Sequence, residues 1–239
     1  MVCVGLGWML ERNRTITVEK RIVGRRVARL VKTGDVVGIG TGSTIACAIE
    51  ELGRMVNDGL GISCVPTSYQ SRFLAIKYGI PLTTLDENPR LEIAIDGADQ
   101  VDSRCNAIKG GGAAHTLEKI VASSSERFVI AVDEEKLTER LDHFVPIEVI
   151  PQALSIAARE VKSLGGKPTL RMALMKDGPV ITDNGNFILD VDFDAIESPA
   201  RLSGELSSCV GVVEHGIFTG VGEVYVGRKG GSVDLLKGD

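Results

Sequence analysis

The chain has 239 residues, with 32 acidic and 27 basic side chains and a formal net charge of -5. Its 44% hydrophobic and 25% charged residues are typical of a globular protein with a sizeable core, and they exclude disorder as the dominant state. No apolar run approaches the roughly 20 residues that cross a bilayer, and the acidic balance disfavours a nucleic-acid-binding surface. These quantities favour an enzyme or a small-molecule binding protein.

The N-terminal stretch and the cysteines bear on the expected location. Residues 1–10 are apolar but no basic region precedes them, so a signal peptide is not expected and the stretch before Thr15 is interpreted as an extension. The five cysteines form no Cys-x-x-Cys pair, which disfavours a disulfide framework or a zinc site and predicts buried thiols in a cytoplasmic protein. They are Cys3, Cys47, Cys64, Cys105 and Cys209.

Hydrophobic periodicity predicts alternating helices and strands up to about residue 142. The first helix is expected over 18–32, where apolar residues recur on one stripe opposite basic residues. Alternation of strands with helices is typical of a parallel sheet covered by helices. The further predicted strands are 35–39, 62–65, 81–85, 91–95 and 128–132, and the further predicted helices are 45–56, 69–78 and one after residue 112.

The pattern changes after residue 142. A helix at 152–164, strands at 168–174 and 186–191, a helical stretch near 194–207 and a strand at 210–213 indicate a small ferredoxin-like α+β unit, and two edge strands follow near 224–226 and 233–236. We therefore predict an α/β protein with two parts. A Rossmann-like, doubly wound domain would comprise residues 16–142 plus 219–239, and a ferredoxin-like lid domain would comprise residues 143–218.

The first loop that can carry chemistry is Gly38–Thr44, between a strand and a helix. Glycines permit a tight turn, and the N-terminus of a helix offers N–H groups and a positive dipole to phosphate. The loop lacks the lysine of a Walker loop, and the second strand is not followed by the acidic residue of a dinucleotide fold. A site for the phosphate of a small sugar phosphate fits better, and the alternative is that Ser43 or Thr44 only caps the helix.

The second loop is Asp96-Gly97-Ala98-Asp99, directly after the predicted strand 91–95. Open α/β sheets bind their ligands at the carboxyl ends of the strands, where two carboxylates can hold sugar hydroxyls or transfer protons. The alternative is an Asx-type turn with solvated acids, and on these residues alone that alternative is slightly favoured.

In the third loop, Lys109 precedes Gly110, Gly111 and Gly112, and Glu118 lies in the first turns of the following helix. Consecutive glycines cost backbone entropy and are favoured where a ligand approaches the backbone. A carboxylate near an ammonium and free amides suits removal of a proton from a carbon next to a carbonyl. The alternative makes Glu118 a partner of the helix dipole and Lys109 a surface charge.

Other titratable residues give weaker signals. Lys136 follows the predicted strand 128–132 and can reach a phosphate at the same sheet edge, although a solvated charge run is the default interpretation. His115, His143 and His215 share no metal-ligand spacing, so each is interpreted as structural or exposed.

Together these loops resemble those of the ribose-5-phosphate isomerase A family, from about Glu19 to Gly238. The resemblance implies interconversion of D-ribose 5-phosphate and D-ribulose 5-phosphate through an enediolate, in the non-oxidative pentose phosphate pathway and without a metal or organic cofactor. The motifs, in chain order, are GIGTGST (38–44), DGAD (96–99), KGGGAA (109–114), VDEEK (132–136), PIEVIP (146–151) and TDNGNFILD (182–190).

The resemblance also implies roles for positions in these motifs. The implied positions are Thr41, Gly42, Ser43 and Thr44 for the substrate phosphate, with Lys136 and Lys20 near it; Asp96–Asp99 for the sugar hydroxyls and ring opening; Lys109–Gly112 for the charged oxygen; and Glu118 for the proton acceptor. One departure is Gln100, where the family often has glutamate, and another is the stretch before Thr15, which has no counterpart.

Three rival functions would each require a different set of residues. A non-catalytic sugar-phosphate sensor is disfavoured because both Lys109 and Glu118 are present, and an amino-sugar-phosphate isomerase or lactonase would be expected to use a histidine-assisted site. A nicotinamide dehydrogenase lacks its acidic ribose partner. We expect a small sugar phosphate as substrate, no nucleic-acid or membrane partner, and a cytoplasmic homodimer or homotetramer.

Overall fold

The structure, a computed structural model, describes residues 16–238, so the expected N-terminal extension and Cys3 lie outside the described residues. Within this range, no helix has the length and apolar composition needed to cross a membrane. Two short 3-10 helices are present at Glu134–Lys136 and Pro151–Ala153. The α-helices are α1 Val18–Ala28, α2 Ser43–Asn57, α3 Tyr69–Lys77, α4 His115–Ser123, α5 Leu154–Ser163 and α6 Pro199–Ser207.

The strands of residues 16–238 form three sheets. Six strands make a central sheet, four make an antiparallel sheet and three short ones make a small sheet between them. The strands are β1 Val36–Ile39, β2 Ser63–Pro66, β3 Ile93–Asp96, β4 Gln100–Val101, β5 Ala107–Ile108, β6 Phe128–Asp133, β7 Val145–Val149, β8 Lys167–Leu170, β9 Phe187–Asp192, β10 Val212–His215, β11 Ile217–Phe218, β12 Glu223–Gly227 and β13 Val233–Lys237.

The central sheet confirms the predicted α/β fold class. Its order is β13-β12-β6-β3-β1-β2, and every neighbouring pair is parallel except β12 with β13. The central strands are buried, which explains why β3 and β6 are continuous apolar runs. The chain leaves β1 toward β2 on one side and returns to β3 on the other, so the carboxyl ends of β1 and β3 form a topological switch point, where such sheets bind ligands.

Helices α1 and α2 cover one part of this sheet. Val23 and Val27 of α1 and Ile45, Ile49 and Leu52 of α2 belong to the largest buried cluster. Burying each such side chain stabilises the fold by about 1.5–3 kcal/mol. This packing fixes the N-terminus of α2 at the carboxyl end of β1.

The four-stranded sheet has the order β10-β7-β9-β8 and is antiparallel throughout. Its elements follow one another as β7-α5-β8-β9-α6-β10, which is the predicted β-α-β-β-α-β succession. The small sheet, β11-β5-β4, connects this part to the central sheet. Its strand β5 ends immediately before Lys109, so the third loop begins where the sheets meet.

Several expected boundaries are wrong in the first half of the chain. Helix α1 ends at Ala28 rather than residue 32, because the N–H groups of Leu30 and Val31 bond to carbonyls only three residues back and close the helix in a tighter turn. The expected strand 81–85 is a single bridge between Leu82 and Cys64, since the chain turns immediately afterwards at 84–88.

Boundaries also differ in the second half. The expected strand 168–174 ends at Leu170, and the helix expected near 194–207 begins only at Pro199. Asp194 has a φ of 54°, a left-handed conformation that excludes it from a helix. The sequence patterns located neither β7 nor the short strands β4, β5 and β11, although β7 is the first strand of the four-stranded sheet.

Candidate active site

A cavity of about 370 Å³ opens at the carboxyl ends of β1, β3 and β6. It brings together the residues singled out in all three loops, except Asp96, which lies directly beneath it against Lys109. Val132, Asp133 and His143 also line it, and none of them was among the expected site residues. The lining residues are Lys20, Thr41, Gly42, Ser43, Thr44, Gly97, Ala98, Asp99, Lys109, Gly110, Gly111, Gly112, Glu118, Val132, Asp133, Lys136 and His143.

A buried cation between two carboxylates forms the floor of the cavity. Lys109 Nζ lies 3.0 Å from Asp96 Oδ2 and 2.9 Å from Glu118 Oε2, and it donates a hydrogen bond to Gly97 O at 2.5 Å. Lys109 and Asp96 are each 2% exposed and Glu118 is 4% exposed. The alternative in which Lys109 is a surface charge is therefore wrong.

The three charges alter one another's protonation. Burial raises the pKa of Glu118 to about 8, and the charge of Asp96 adds to this effect while Lys109 opposes it. Burial also raises the pKa of Asp96, against the opposing effect of Lys109. Burial alone would lower the pKa of Lys109, but the two carboxylates outweigh it and hold the pKa above its ordinary value. Glu118 thus combines a raised proton affinity with a position on the cavity wall.

Backbone geometry carries Lys109 into the interior. The Lys109 N–H donates to Gly216 O at 2.8 Å, which fixes the residue beside β11, and its ammonium lies 5.4 Å from the centre of the Phe218 ring. The chain then turns sharply at Gly110, where φ is +104° and a Cβ would lie 2.7 Å from His115 Nδ1. Glycine is required there both for the conformation and for the space.

Asp96 ties the first loop to the second. Its Oδ1 accepts hydrogen bonds from Gly97 N at 2.7 Å and from Thr41 N at 3.1 Å. A Cβ at Gly40 would lie 1.9 Å from the same oxygen, so the close approach of the two strand ends requires glycine. Because Asp96 is buried, the alternative of a turn with solvated acids does not hold for this carboxylate.

Asp99 faces the cavity and holds the glycine loop. Its Oδ2 accepts a hydrogen bond from Gly111 N at 2.7 Å. Asp99 is partly exposed, unlike Asp96, so one oxygen can meet a ligand while the other fixes the backbone. The two aspartates of the DGAD motif therefore have different surroundings.

Residues at the N-terminus of α2 line another end of the cavity. Gly42 is the N-cap residue and has no side-chain capping bond, so the alternative in which Ser43 or Thr44 caps the helix is wrong. The loop is held from outside, because Gly42 N donates to Gln70 Oε1 at 3.0 Å and Thr41 Oγ1 donates to Ser68 Oγ at 2.7 Å. This leaves the first-turn hydroxyls and amides of α2 available to an anion.

Two lysines flank this end of the cavity. Lys20, from α1, lies 3.8 Å from Asp133 Oδ2, and Lys136 follows β6 in a 3-10 helix. Within residues 16–238, Lys136 forms no ion pair. The rule that ligands meet the carboxyl ends of parallel strands, which pointed to Lys136, could also have identified Asp133, the last residue of β6.

His143 lines the cavity because Gln100 holds its backbone there, and sequence patterns do not predict such a contact. Gln100 accepts hydrogen bonds from the backbone N–H groups of Asp142 and His143 at 2.9 and 3.0 Å, and it donates to Asp142 Oδ1 at 2.5 Å. Gln100 therefore holds this loop rather than either site aspartate. The other two histidines are buried, which agrees with the structural alternative, and burial lowers the pKa of both His115 and His215 to about 4.

Cysteines and metal-ligand groupings add no chemistry to the site in the described part of the chain. Cys47, Cys64, Cys105 and Cys209 are buried as expected. Among residues 16–238 there is no group of three or more histidine, cysteine, aspartate or glutamate side chains placed to hold a metal ion.

Known sequences resemble this chain over nearly its full length. A model of the family described as ribose 5-phosphate isomerase A (phosphoriboisomerase A) matches residues 63–231. A ribose-5-phosphate isomerase A from Methanosarcina acetivorans is 56% identical over 230 residues, covering 95% of this chain and 98% of the relative. Another, from Natronomonas pharaonis, is 52% identical and covers 93% of this chain and 98% of the relative.

Solved structures show the same similarity. The structure of ribose 5-phosphate isomerase A from Methanocaldococcus jannaschii superimposes with a TM-score of 0.88 at 46% identity, covering 92% of this chain and 98% of that chain. A D-ribose-5-phosphate isomerase in complex with phospho-erythronic acid gives a TM-score of 0.89 at 44% identity, covering 92% and 97%. The fold is thus shared with proteins of one named activity.

Proposed function

The chain belongs to the ribose 5-phosphate isomerase A family, and we propose that Glu118, Lys109 and the loops around them carry out its isomerisation of D-ribose 5-phosphate to D-ribulose 5-phosphate. In the open-chain aldose, C2 carries a proton next to the C1 aldehyde. Loss of that proton moves its electron pair into a C1–C2 double bond and places negative charge on O1. Transfer of the O2 proton to O1 and protonation at C1 then give the ketose.

Glu118 is the base for both proton transfers. Its carboxylate takes the C2 proton and returns it to C1 of the enediolate. A single carboxylate can serve both carbons, because they are adjacent and the group lies at one wall of the cavity. The raised pKa of Glu118 improves the match between the base and a weakly acidic carbon-bound proton.

Lys109 and the glycine loop stabilise the charge that develops on oxygen. The ammonium is already held between Asp96 and Glu118, so it needs no reorganisation when the oxyanion forms. Gly110–Gly112 line the same cavity, and within residues 16–238 the Gly112 N–H donates no hydrogen bond. Pre-arranged donors of this kind supply one of the largest contributions to catalysis.

Ring opening is assigned to the DGAD loop. The cyclic sugar must lose its O1 proton and gain one on the ring oxygen before C2 becomes acidic. Asp99 is the partly exposed carboxylate of the loop and lines the cavity, so it can accept a proton from a sugar hydroxyl. Asp96 is buried and serves to hold Lys109 and Thr41 in place.

The substrate phosphate binds at Thr41–Thr44, with Lys136 and Lys20 beside it. The free amides and the dipole of α2 favour an anion there, and the two lysines add positive charge. Binding the phosphate far from the reacting carbons orients C1 and C2 over Glu118. The relative solved with phospho-erythronic acid supports a phosphorylated sugar acid as a ligand for this type of cavity.

The observation that carries the proposal is the position of Lys109 Nζ, 2.9 Å from a buried Glu118 and 3.0 Å from a buried Asp96. Burying the ammonium of Lys109 together with the carboxylates of Asp96 and Glu118 removes their hydration, which costs free energy. Buried charges with shifted pKa values are typical of catalytic sites, and these three lie at a cavity that is also lined by the Thr41–Thr44 loop.

The proposal is tested by ketose formation from D-ribose 5-phosphate with EDTA present. Glu118→Gln keeps the size of the side chain and removes the base, and we expect turnover to fall by about 10²- to 10⁴-fold with substrate binding retained. Glu126→Gln is the matched control, because Glu126 is an exposed carboxylate just beyond the same helix.

Each outcome discriminates between functions. Absence of turnover in the wild type together with saturable binding of ribose 5-phosphate would reject the enzyme and favour a sugar-phosphate sensor. Activity that EDTA abolishes would reject the metal-free mechanism. Wild-type activity in Glu118→Gln would retain the isomerase and remove Glu118 as its base.

The quaternary arrangement and location belong to the same proposal. We infer a cytoplasmic homodimer or homotetramer, with residues 16–142 plus 219–239 and residues 143–218 as its two domains. Exposed apolar side chains after β8, Leu174 at 92% and Met175 at 84%, support an association surface on the second part. Light scattering of the full chain at several concentrations tests the oligomer, and a concentration-independent monomer mass would reject it.

A further inference from the structure

One arginine of the four-stranded sheet region contacts the backbone of the glycine loop. Arg171, the residue after β8, donates from Nη1 to Gly110 O at 3.0 Å and to Gly111 O at 3.3 Å. Its Nε donates to Asp190 Oδ2 at 2.8 Å, and Nη2 bonds to the other oxygen of Asp190. The Arg171 side chain is 17% exposed, and its guanidinium bridges segments that are about 60 residues apart in the chain.

Peptide geometry gives these contacts a direction. In a trans peptide the C=O and the following N–H point to opposite sides of the chain. Carbonyls of Gly110 and Gly111 that face Arg171 therefore turn the N–H groups of Gly111 and Gly112 away from it. The Gly111 N–H indeed donates to Asp99 Oδ2, at 2.7 Å.

The Gly112 N–H is left for a ligand. Within residues 16–238 it donates no hydrogen bond, and Gly112 lines the cavity. Its peptide partner is the Gly111 carbonyl that Arg171 holds. An unpaired amide aimed at the place where negative charge develops is the arrangement of an oxyanion site.

We propose that Arg171 is a positioning residue for the isomerisation, which orients the Gly112 amide toward the enediolate oxygen and the Gly111 amide toward Asp99. The inference rests on the proposed function, since it names the group that sets the donors of that reaction. Arg171 does not touch the substrate. It acts through the two carbonyls, and Asp190 fixes its guanidinium.

The glycine loop needs such a support. Three glycines have no side chains to pack, and the loop ends at Ala113, whose φ of +58° is uncommon for a residue other than glycine. A positive charge on the carbonyl side also polarises both peptides and strengthens their N–H groups as donors. The planar fork of arginine can bind two carbonyls and a carboxylate together, which a lysine ammonium cannot match in geometry.

The test compares Arg171→Met with Arg127→Met in the full chain. Arg127 also forms a bidentate pair with a carboxylate, Glu223, at 2.6 and 2.7 Å, but it contacts no part of the glycine loop. We expect Arg171→Met to lower kcat by about 100-fold while KM changes by less than about threefold. Arg127→Met should leave both constants near the wild-type values.

Two inhibitors separate positioning from general loss of structure. The carboxylate of phospho-erythronic acid is planar and carries negative charge on its oxygens, so it resembles the planar, negatively charged enediolate. Inorganic phosphate, in contrast, can occupy only the phosphate end of the cavity. In Arg171→Met, inhibition by phospho-erythronic acid should weaken in parallel with kcat, and inhibition by inorganic phosphate should stay unchanged. Equal weakening of the two inhibitors, or equal loss of kcat in both arginine variants, would overturn the proposal.

Two conservative variants keep the proposal testable if Arg171→Met does not fold. Arg171→Lys retains the charge and Asp190→Asn retains the arginine, and both should weaken phospho-erythronic acid more than inorganic phosphate. Wild-type behaviour of both variants would overturn the positioning role. Failure of the wild type to isomerise ribose 5-phosphate is a different result, which rejects the proposed function itself.

Discussion

Glu118 and Glu148 are two carboxylates in neighbouring parts of the molecule that are almost equally buried, at 4% and 0% exposed. Glu118 lies 2.9 Å from Lys109 Nζ, and no other described residue donates a hydrogen bond to its Oε2. Glu148, in β7, accepts hydrogen bonds from four side chains. The donors are Thr116, Thr182, Asn184 and Asn186.

The two environments move the proton affinity in opposite directions. Burial raises the pKa of Glu118 to about 8. Burial acts on Glu148 as well, but its hydrogen bonds outweigh it and lower the pKa below the ordinary value. A buried carboxylate thus becomes a base only where donors are scarce, and the same group surrounded by donors becomes an anchor between segments.

The largest expected effect is on turnover. Glu118→Gln should reduce kcat by about 10²- to 10⁴-fold, whereas Glu148→Gln should reduce it by less than about tenfold, because Glu118 lines the cavity and Glu148 does not. Steady-state assays of the two variants side by side measure this contrast. Similar losses of kcat in both variants would mean that the surroundings of the two carboxylates do not decide which of them acts as the base.

The second effect is on stability, and it runs the other way. Glu148→Gln places an amide N–H₂ among hydroxyl and amide donors, so buried donors lose their acceptor, and we expect a loss of about 2–3 kcal/mol in the free energy of unfolding. Urea unfolding of Glu148→Gln measures this loss, and Glu126→Gln, which removes an exposed charge, is the control. An unfolding curve that coincides with the wild type would show that the hydrogen bonds to Glu148 carry no net stability.

The pH dependence sharpens the contrast further. Because the folded state raises the pKa of Glu118 from 4.5 to about 8, the folded state binds a proton that the unfolded state has lost, and stability falls as the pH rises through this window. For Glu148 the lowered pKa contributes stability above its unfolded value, and this contribution is lost on acidification. Unfolding measured across this range in the wild type and in Glu118→Gln should show a smaller fall in the variant; equal slopes would argue against the raised pKa.

The activity has a matching pH dependence. Glu118 must be deprotonated to act as a base, so kcat/KM should rise with pH and level off above the raised pKa of about 8. Rates in buffers of constant ionic strength measure this profile. A profile that is already flat near the ordinary glutamate pKa of 4.5 would contradict the role of burial.

The smallest effect concerns the exposed end of the cavity, where charges contribute to binding rather than to proton transfer. Lys136→Met should raise KM for ribose 5-phosphate by about tenfold with little change in kcat, and salt should weaken the difference. Lys162→Met, which removes an exposed charge from α5, is the control. A loss confined to kcat would place Lys136 in the chemical step instead.

Local patterns predicted the three loops because each of them follows a strand end and uses residues with a specific backbone or charge role. The burial of Lys109 could not be predicted in this way, since it depends on Gly216 and Phe218, more than 100 residues further along the chain. The contacts of Arg171 with the glycine loop also join segments about 60 residues apart. Periodicity within a segment carries no information on such pairs.

The limits of local periodicity also explain why the short strands were not located. Strands β4, β5 and β11 contain only two residues each, too few for any periodic signal. Gln100, the departure from the family pattern, holds the backbone at Asp142 and His143, and this contact also joins segments about 40 residues apart. The DGAD, KGGG and GTGST loops, by contrast, stand out in the sequence through glycines and charges within a few residues, and the structure brings residues of all three to one cavity.

The central claim is that Glu118, and not its equally buried neighbour Glu148, moves the substrate proton. NMR of ribose 5-phosphate in D₂O tests it most directly, by following deuterium incorporation at C1 of ribulose 5-phosphate and at C2 of the remaining aldose. The account predicts incorporation with the wild type and with Glu148→Gln, in the turnovers in which the proton on Glu118 exchanges with D₂O before its delivery to carbon, and essentially none with Glu118→Gln. Incorporation by Glu118→Gln at the wild-type rate, or its loss in Glu148→Gln alone, would contradict the account.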